Sequence, residues 1–212
     1  IYNHLNLPTK VTIQGKEINY IYDAAGLKLS KLVEGDLENE ITQYAGNFIY
    51  KSIHEQTEEP NFELQFFNHA EGYVQKEDNN FSYIYQYKDH LGNVRLSYSD
   101  TNNDGVITAS SNPSTNEIIE ESNYYPFGLK HKEYYNVISS NGNSVAQKKK
   151  FQGQELEEEL GKNTYAYQWR DYDPAIGRFN KIDRFSEKYY GISPYAFTAN
   201  NPIYFKEIKG DS

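Results

Sequence analysis

The sequence contains no cysteine and no methionine. Missing thiols exclude disulfides, thiolate zinc sites and cysteine nucleophiles, and they leave the redox compartment open. The missing methionine, with a start at Ile1, leads us to expect a segment of a longer chain. Basic residues are the minority: 21 Lys and Arg against 30 Asp and Glu give a net charge of −9. That balance argues against a nucleic-acid-binding surface. No apolar run is long enough for a transmembrane helix, and the start lacks the charged-then-apolar pattern of a signal peptide. Hydrophobic residues make up only 37%, below the roughly 45–50% of an ordinary globular domain.

Aromatic residues fill the gap, with 21 Tyr, 11 Phe and 1 Trp. Chains that stay disordered are poor in aromatics, so a packed core is expected. The rings alternate. Ile18–Tyr22, Phe81–Tyr87 and Asn163–Tyr167 place aromatic or β-branched residues at every second position. A period of two predicts strands with the rings on one face, and we expect those rings to pack as core. The fold class expected is mainly β.

The strands end in a recurring turn. Tyr22-Asp23-Ala24-Ala25-Gly26 and Tyr87-Lys88-Asp89-His90-Leu91-Gly92 each lead into a second apolar strand. The Asp side chain accepts from backbone N–H groups further on, and the Gly supplies a positive φ. Each unit reads as a β-hairpin, and repeated hairpins predict a repeat architecture. Helix signal is sparse. The best candidate is Gln152–Leu160, whose acidic run also suits a solvated loop. Two polar stretches, 100–116 and 139–144, read as exposed loops. Lys148-Lys149-Lys150 reads as a solvated basic patch at a junction. It divides the chain into a hairpin region, 1–150, and a motif-rich region, 151–212.

Tyr22-Asp23-x-x-Gly26 resembles the YD repeat of the Rhs family. A denser resemblance follows in Phe151-Gln152-Gly153-Gln154-Glu155-Leu156, Arg170-Asp171-Tyr172-Asp173-Pro174-Ala175-Ile176-Gly177-Arg178-Phe179, Asp183, Ser193-Pro194-Tyr195-Ala196 and Asn200-Asn201-Pro202-Ile203. These segments are similar to the Rhs repeat-associated core domain, and Tyr124-Tyr125-Pro126-Phe127-Gly128 is a further motif of such chains. The resemblance implies YD-repeat hairpins that form part of a wound β-sheet shell, a β-cocoon, closed by a core-domain plug. It implies a covalently linked C-terminal toxin domain, an N-terminal remainder of the shell and secretion machinery as partners. It also implies a secreted or cell-surface location and no cofactor.

In many members the core domain cuts the chain just after itself by an aspartyl-protease-like reaction. The resemblance places that chemistry at Arg170, Asp183 and Glu207. Glu207 stands at the acidic position of a closing motif that reads Asp-Pro-x-Gly-apolar in the family and Glu207-Ile208-Lys209-Gly210-Asp211 here. The implied cut falls after Asp211. Paired carboxyls can share a proton, one serving as base on water and the other as acid, with Arg170 steadying the charge. The alternative is a structural Arg170–Asp183 ion pair, with Asp183 capping the turn 184–187.

Other candidates are weaker. Asp100-Thr101-Asn102-Asn103-Asp104-Gly105 matches the first half of a calcium loop, but Ser111 stands where a bidentate acid is needed, and a polar hairpin loop is expected instead. His4, His54, His69, His90 and His131 show no metal-ligand spacing. Three functions follow: a plug that partitions a toxin payload, an autoprotease acting on its own junction, and a surface module for adhesion or glycan binding.

Overall fold

The computed structural model describes residues 1–77, 80–131, 139, 141–211, excepting the side chain of Glu77. The chain is mainly β and forms two antiparallel sheets. The first holds ten strands in chain order: β1 (Lys10–Ile13), β2 (Lys16–Tyr22), β3 (Lys28–Glu34), β4 (Glu38–Ala45), β5 (Phe48–Glu55), β6 (Glu63–His69), β7 (Gly72–Glu77), β8 (Asn80–Lys88), β9 (Val94–Tyr98) and β10 (Ile118–Glu121). Each strand pairs with the next, so the sheet is a meander left open at β1 and β10. The second sheet holds β11 (Glu155–Glu157), β12 (Thr164–Ala166), β13 (Asp171–Asp173) and β14 (Arg178–Phe179).

The Asp turns form as their chemistry dictates. Asp23 Oδ1 accepts from the N–H groups of Ala25 and Leu27, both at 2.8 Å. Asp89 Oδ1 accepts from Leu91 and Asn93, both at 3.0 Å. In each hairpin the register slips by one residue just before the Asp, at Ile21/Tyr22 and at Tyr87/Lys88. Such bulges bend a strand and sharpen its twist. The same turn occurs twice more. Asn3 Oδ1 accepts from Leu5 and Leu7, with Asn6 at φ +59°. Tyr125 and Leu129 close a backbone version, in which the Gly128 N–H donates to the Tyr125 carbonyl.

One face of the large sheet is covered. Ile49, Phe66, Tyr73, Ile84, Ile119 and Ala146 form its core. Ala146 belongs to a 3-10 turn, Ala146–Lys148. That turn and the preceding loop fold back over the sheet: Gln75 donates to the Asn141 carbonyl, and Asn143 donates to that of Gln65. The stretch 139–144 is therefore docked rather than a freely exposed loop; Ser140 lies outside the described residues. The second core joins Phe151, Leu156, Tyr165, Tyr167, Tyr172, Phe179 and Phe197, with Tyr124 and Phe127 against it. Tyr172 stacks on Phe197 at 3.9 Å between ring centres.

Three further expectations need correction. Residues 152–160 form no α-helix. They divide into a 3-10 turn (Phe151–Gly153), β11 and the start of a second 3-10 turn (Glu159–Gly161), because Gln152 and Leu160 adopt positive φ. The lysines at 148–150 are not a solvated patch. Lys150 is buried on Glu120, Lys148 pairs with Glu159 at 2.5 Å, and Lys149 donates to Asn68. The rings of β8 are not core. Ile84 faces inward, while Phe81, Tyr83 and Tyr87 are 55%, 58% and 65% exposed on the opposite face. There Phe81 and Tyr83 continue a cross-strand aromatic row through Phe48, Phe67 and His69.

Candidate functional site

The four tight turns grip the C-terminal unit. Lys181 donates to the Asn6 carbonyl at 2.6 Å, and Gln168 donates to that of Ala25. Asn93 Oδ1 accepts from the Gln152 N–H at 2.8 Å. Tyr165 and Tyr172 donate to the carbonyls of Gly128 and Phe127. A Cβ on Gly26 would lie 2.9 Å from the Trp169 ring, so its positive φ and its lack of a side chain are both used.

Between the sheets lies a buried ion cluster. The first sheet supplies Lys28 and Lys31. The second unit supplies Glu155, Glu157, Glu159, Lys162 and Asp171. Glu157, fully buried, meets Lys28 and Lys162 at 2.5 Å each and accepts from the Tyr20 hydroxyl at 2.8 Å. Lys31 meets Glu155 at 2.7 Å and Glu159 at 2.9 Å. Tyr44 donates to Glu155, and Lys162 also meets Asp171 at 2.8 Å. Burial acts against the charged forms, but the lysines prevail and hold Glu155 down at about 2 and Glu157 well below the carboxylate range. The acidic run, read as a short helix or else a solvated loop, is thus an electrostatic seam.

Arg170 and Asp183 come together as expected. Arg170 Nη2 meets Asp183 Oδ2 at 2.6 Å with both side chains buried. The guanidinium lies 3.8 Å from the Phe179 ring centre and donates through Nη1 to the Pro194 carbonyl. Asp183 Oδ1 also accepts from the Phe185 N–H at 2.7 Å, so the ion pair and the turn cap are both present. Glu207 reaches the same locality. Its N–H donates to Gln152 Oε1 at 3.1 Å, and its Oε1 accepts from the Asp211 N–H at 3.1 Å. Burial pushes the Glu207 carboxyl up, against the opposing pull of Arg170. A cavity of about 380 Å³ is lined by Asp183, Glu207 and Asp211 beside Phe205, Ile208 and Ile192.

Sequence reasoning named Asp211 only as the residue before the implied cut and Arg184 only as part of a turn, and missed that the two pair. Asp211 Oδ2 meets Arg184 at 2.5 Å, and Arg184 lies over the Trp169 ring at 3.9 Å. Asp171, next to Arg170 in sequence, takes no part, since its carboxylate is on Lys162.

The loop 99–117 is organised by Glu117, also missed. Glu117 accepts from the N–H groups of Thr108, Thr101 and Asn102. Those bonds, Thr108 foremost, lower its carboxyl below the usual range. Asp100, Asn102 and Asp104 close Asx turns with backbone N–H groups.

No protein-family model matches the chain, and no curated protein matches it.

Proposed function

We propose that this chain is the closing end of an Rhs-type shell, in which hairpins of the YD type carry a core-domain plug that partitions a C-terminal toxin. The supporting observation is the buried seam of Lys28, Lys31 and Lys162 with Glu155, Glu157 and Glu159. A charged contact of this kind fixes one docking geometry, because any misplacement leaves a charge buried and unpaired. The turns that bond to the unit, and the open meander, which can accept further strands at β1, fit the same reading. Electron microscopy of the longest natural chain carrying this segment tests it. A hollow closed particle with this unit at one end is expected. A solid particle, or a sheet left open, overturns the reading.

A second activity goes with it, self-cleavage at the closing segment. It is favoured by Arg170 holding both Asp183 and the Gly210 carbonyl, with Glu207 accepting from the Asp211 N–H and bordering the same cavity as Asp183. Asp183→Asn and Glu207→Gln are expected each to abolish a cut in that segment, as read by intact mass. A natural chain that stays whole overturns this activity and leaves the plug in place.

A further inference from the structure

A second cavity, of about 550 Å³, lies where the turn closed by Tyr125 and Leu129 meets the C-terminal unit. It shares no lining residue with the cavity at Asp183, Glu207 and Asp211. One wall is apolar. It is made by Leu156, Tyr165 and Pro174, all buried. The Tyr165 hydroxyl is engaged on the Gly128 carbonyl, which leaves its ring as hydrocarbon surface.

The other wall is basic. Lys130 and Lys150 both line the cavity, and both bond to one carboxylate oxygen, Glu120 Oε1, to which Ser122 also donates. Glu120 itself does not line the cavity. Two cations thus share one anion that stands behind them. Lys150 is only 8% exposed. Its burial disfavours the charged ammonium, neighbouring Lys130 adds to that, and Glu120 pulls the other way; the balance leaves its proton affinity below the ordinary value. A buried cation with half a partner is costly, and an arriving anion relieves the cost. Glu158, the one carboxylate among the described lining residues, is exposed, so water screens it.

We propose that this cavity binds a small organic acid, its carboxylate on Lys130 and Lys150 and its apolar ring or chain against Leu156, Tyr165 and Pro174. The volume is that of an ordinary ligand pocket, and an apolar lining with a few converging polar groups is the usual construction of one. The charge selects the ligand class. A neutral apolar molecule leaves the second ammonium uncompensated, and an inorganic anion leaves the apolar wall bare. The site depends on neither the shell reading nor self-cleavage.

The test titrates the full chain at pH 7 and one ionic strength with phenylacetate, with its neutral counterpart phenylacetamide and with acetate, reading heats of binding and melting temperature. Phenylacetate is expected to raise the melting temperature and to bind at least about tenfold more tightly than either of the others, the margin of a charge-assisted hydrogen bond. Lys130→Gln and Lys150→Gln should each remove that margin, because the remaining lysine then belongs to Glu120. The Lys130 side chain is the more exposed of the two, so its variant carries the test should Lys150→Gln unfold. Three results overturn the proposal: equal binding of phenylacetamide or acetate, phenylacetate binding unchanged in Lys130→Gln, or no binding of phenylacetate up to about 10 mM, the weakest affinity that a ligand of about ten non-hydrogen atoms ordinarily shows in a fitting pocket.

Discussion

Gly26 meets two demands at once. Its φ of +79° is one that side chains avoid, and the Trp169 ring stands where a Cβ would project. Gly26→Ala should therefore cost more than the about 1–2 kcal/mol of a left-handed residue alone, because Trp169 must also move. Asp23→Ala removes two turn bonds and leaves Trp169 untouched, so a loss of about 1–2 kcal/mol is expected. Denaturant midpoints of the two variants check the order, and an Asp23→Ala loss equal to or above that of Gly26→Ala contradicts it. Glu207 has the opposite sign. Its folded carboxyl binds a proton more tightly than the unfolded one, whose ordinary value is 4.5. Ionisation then favours the unfolded chain, and stability falls as pH rises from 4.5 through the raised value. Glu207→Gln should raise the melting temperature at pH 7, by on the order of 1 kcal/mol in stability, and change it little at pH 4. Equal melting at pH 7 would remove the claim that burial strains this carboxyl.

At the scale of the elements, the turns were legible and the seam was not. Asp23 and Gly26, or Asp89 and Gly92, carry their geometry in the side chain itself, so spacing alone reveals it. Asn3 does the same with its amide and Asn6 takes the positive φ of the glycine, a substitution of residue type that hid the first turn. Lys28 and Lys31 stand three apart, which puts them on opposite faces of a regular strand. The bulge across Leu29 resets the alternation, and both reach the second sheet. Glu155-Leu156-Glu157 is a strand only three residues long, too short to show a period. The expectation of core for the β8 rings failed for another reason. Alternation fixes which residues share a face, not which face is covered, and Ile84 took the inner side. Arg170 and Asp183 were legible through motif order, whereas the Asp211–Arg184 pair came into view only once the chain had closed on Trp169. The seam gives this scale its prediction. Glu157→Gln leaves Lys28 and Lys162 short of their shared carboxylate. Lys162 keeps Asp171 and Lys28 keeps Glu155, so the loss should fall short of the about 3–5 kcal/mol of a buried ion left with no partner, but the melting temperature at pH 7 should still fall. An unchanged melting temperature would mean that the seam orients the sheets without holding them.

Across the whole molecule two aromatic and aliphatic cores are separately formed, one on the large sheet and one in the C-terminal unit, and the charged seam joins them together with the turns. Acid acts on that join before it acts on apolar packing. The folded carboxyls of Glu155 and Glu157 are depressed, so their contribution is complete above the ordinary value of 4.5 and is lost as pH falls through about 2 at Glu155 and through a value well below 4.5 at Glu157. Protonation leaves Lys28, Lys31 and Lys162 charged and buried together, which repels the units from each other. Local opening with its own free energy is ordinary in such a construction. Hydrogen exchange should therefore show β11–β13 and β2–β4 protected alike at pH 6. Near pH 2 the amides of β11 and β12 should exchange well before those of β6–β8, whose core holds no lysine or carboxylate of the seam and meets it at Tyr44. Loss of protection at one rate across both sheets would mean that the molecule opens as a single unit and that the seam is not its weakest join in acid.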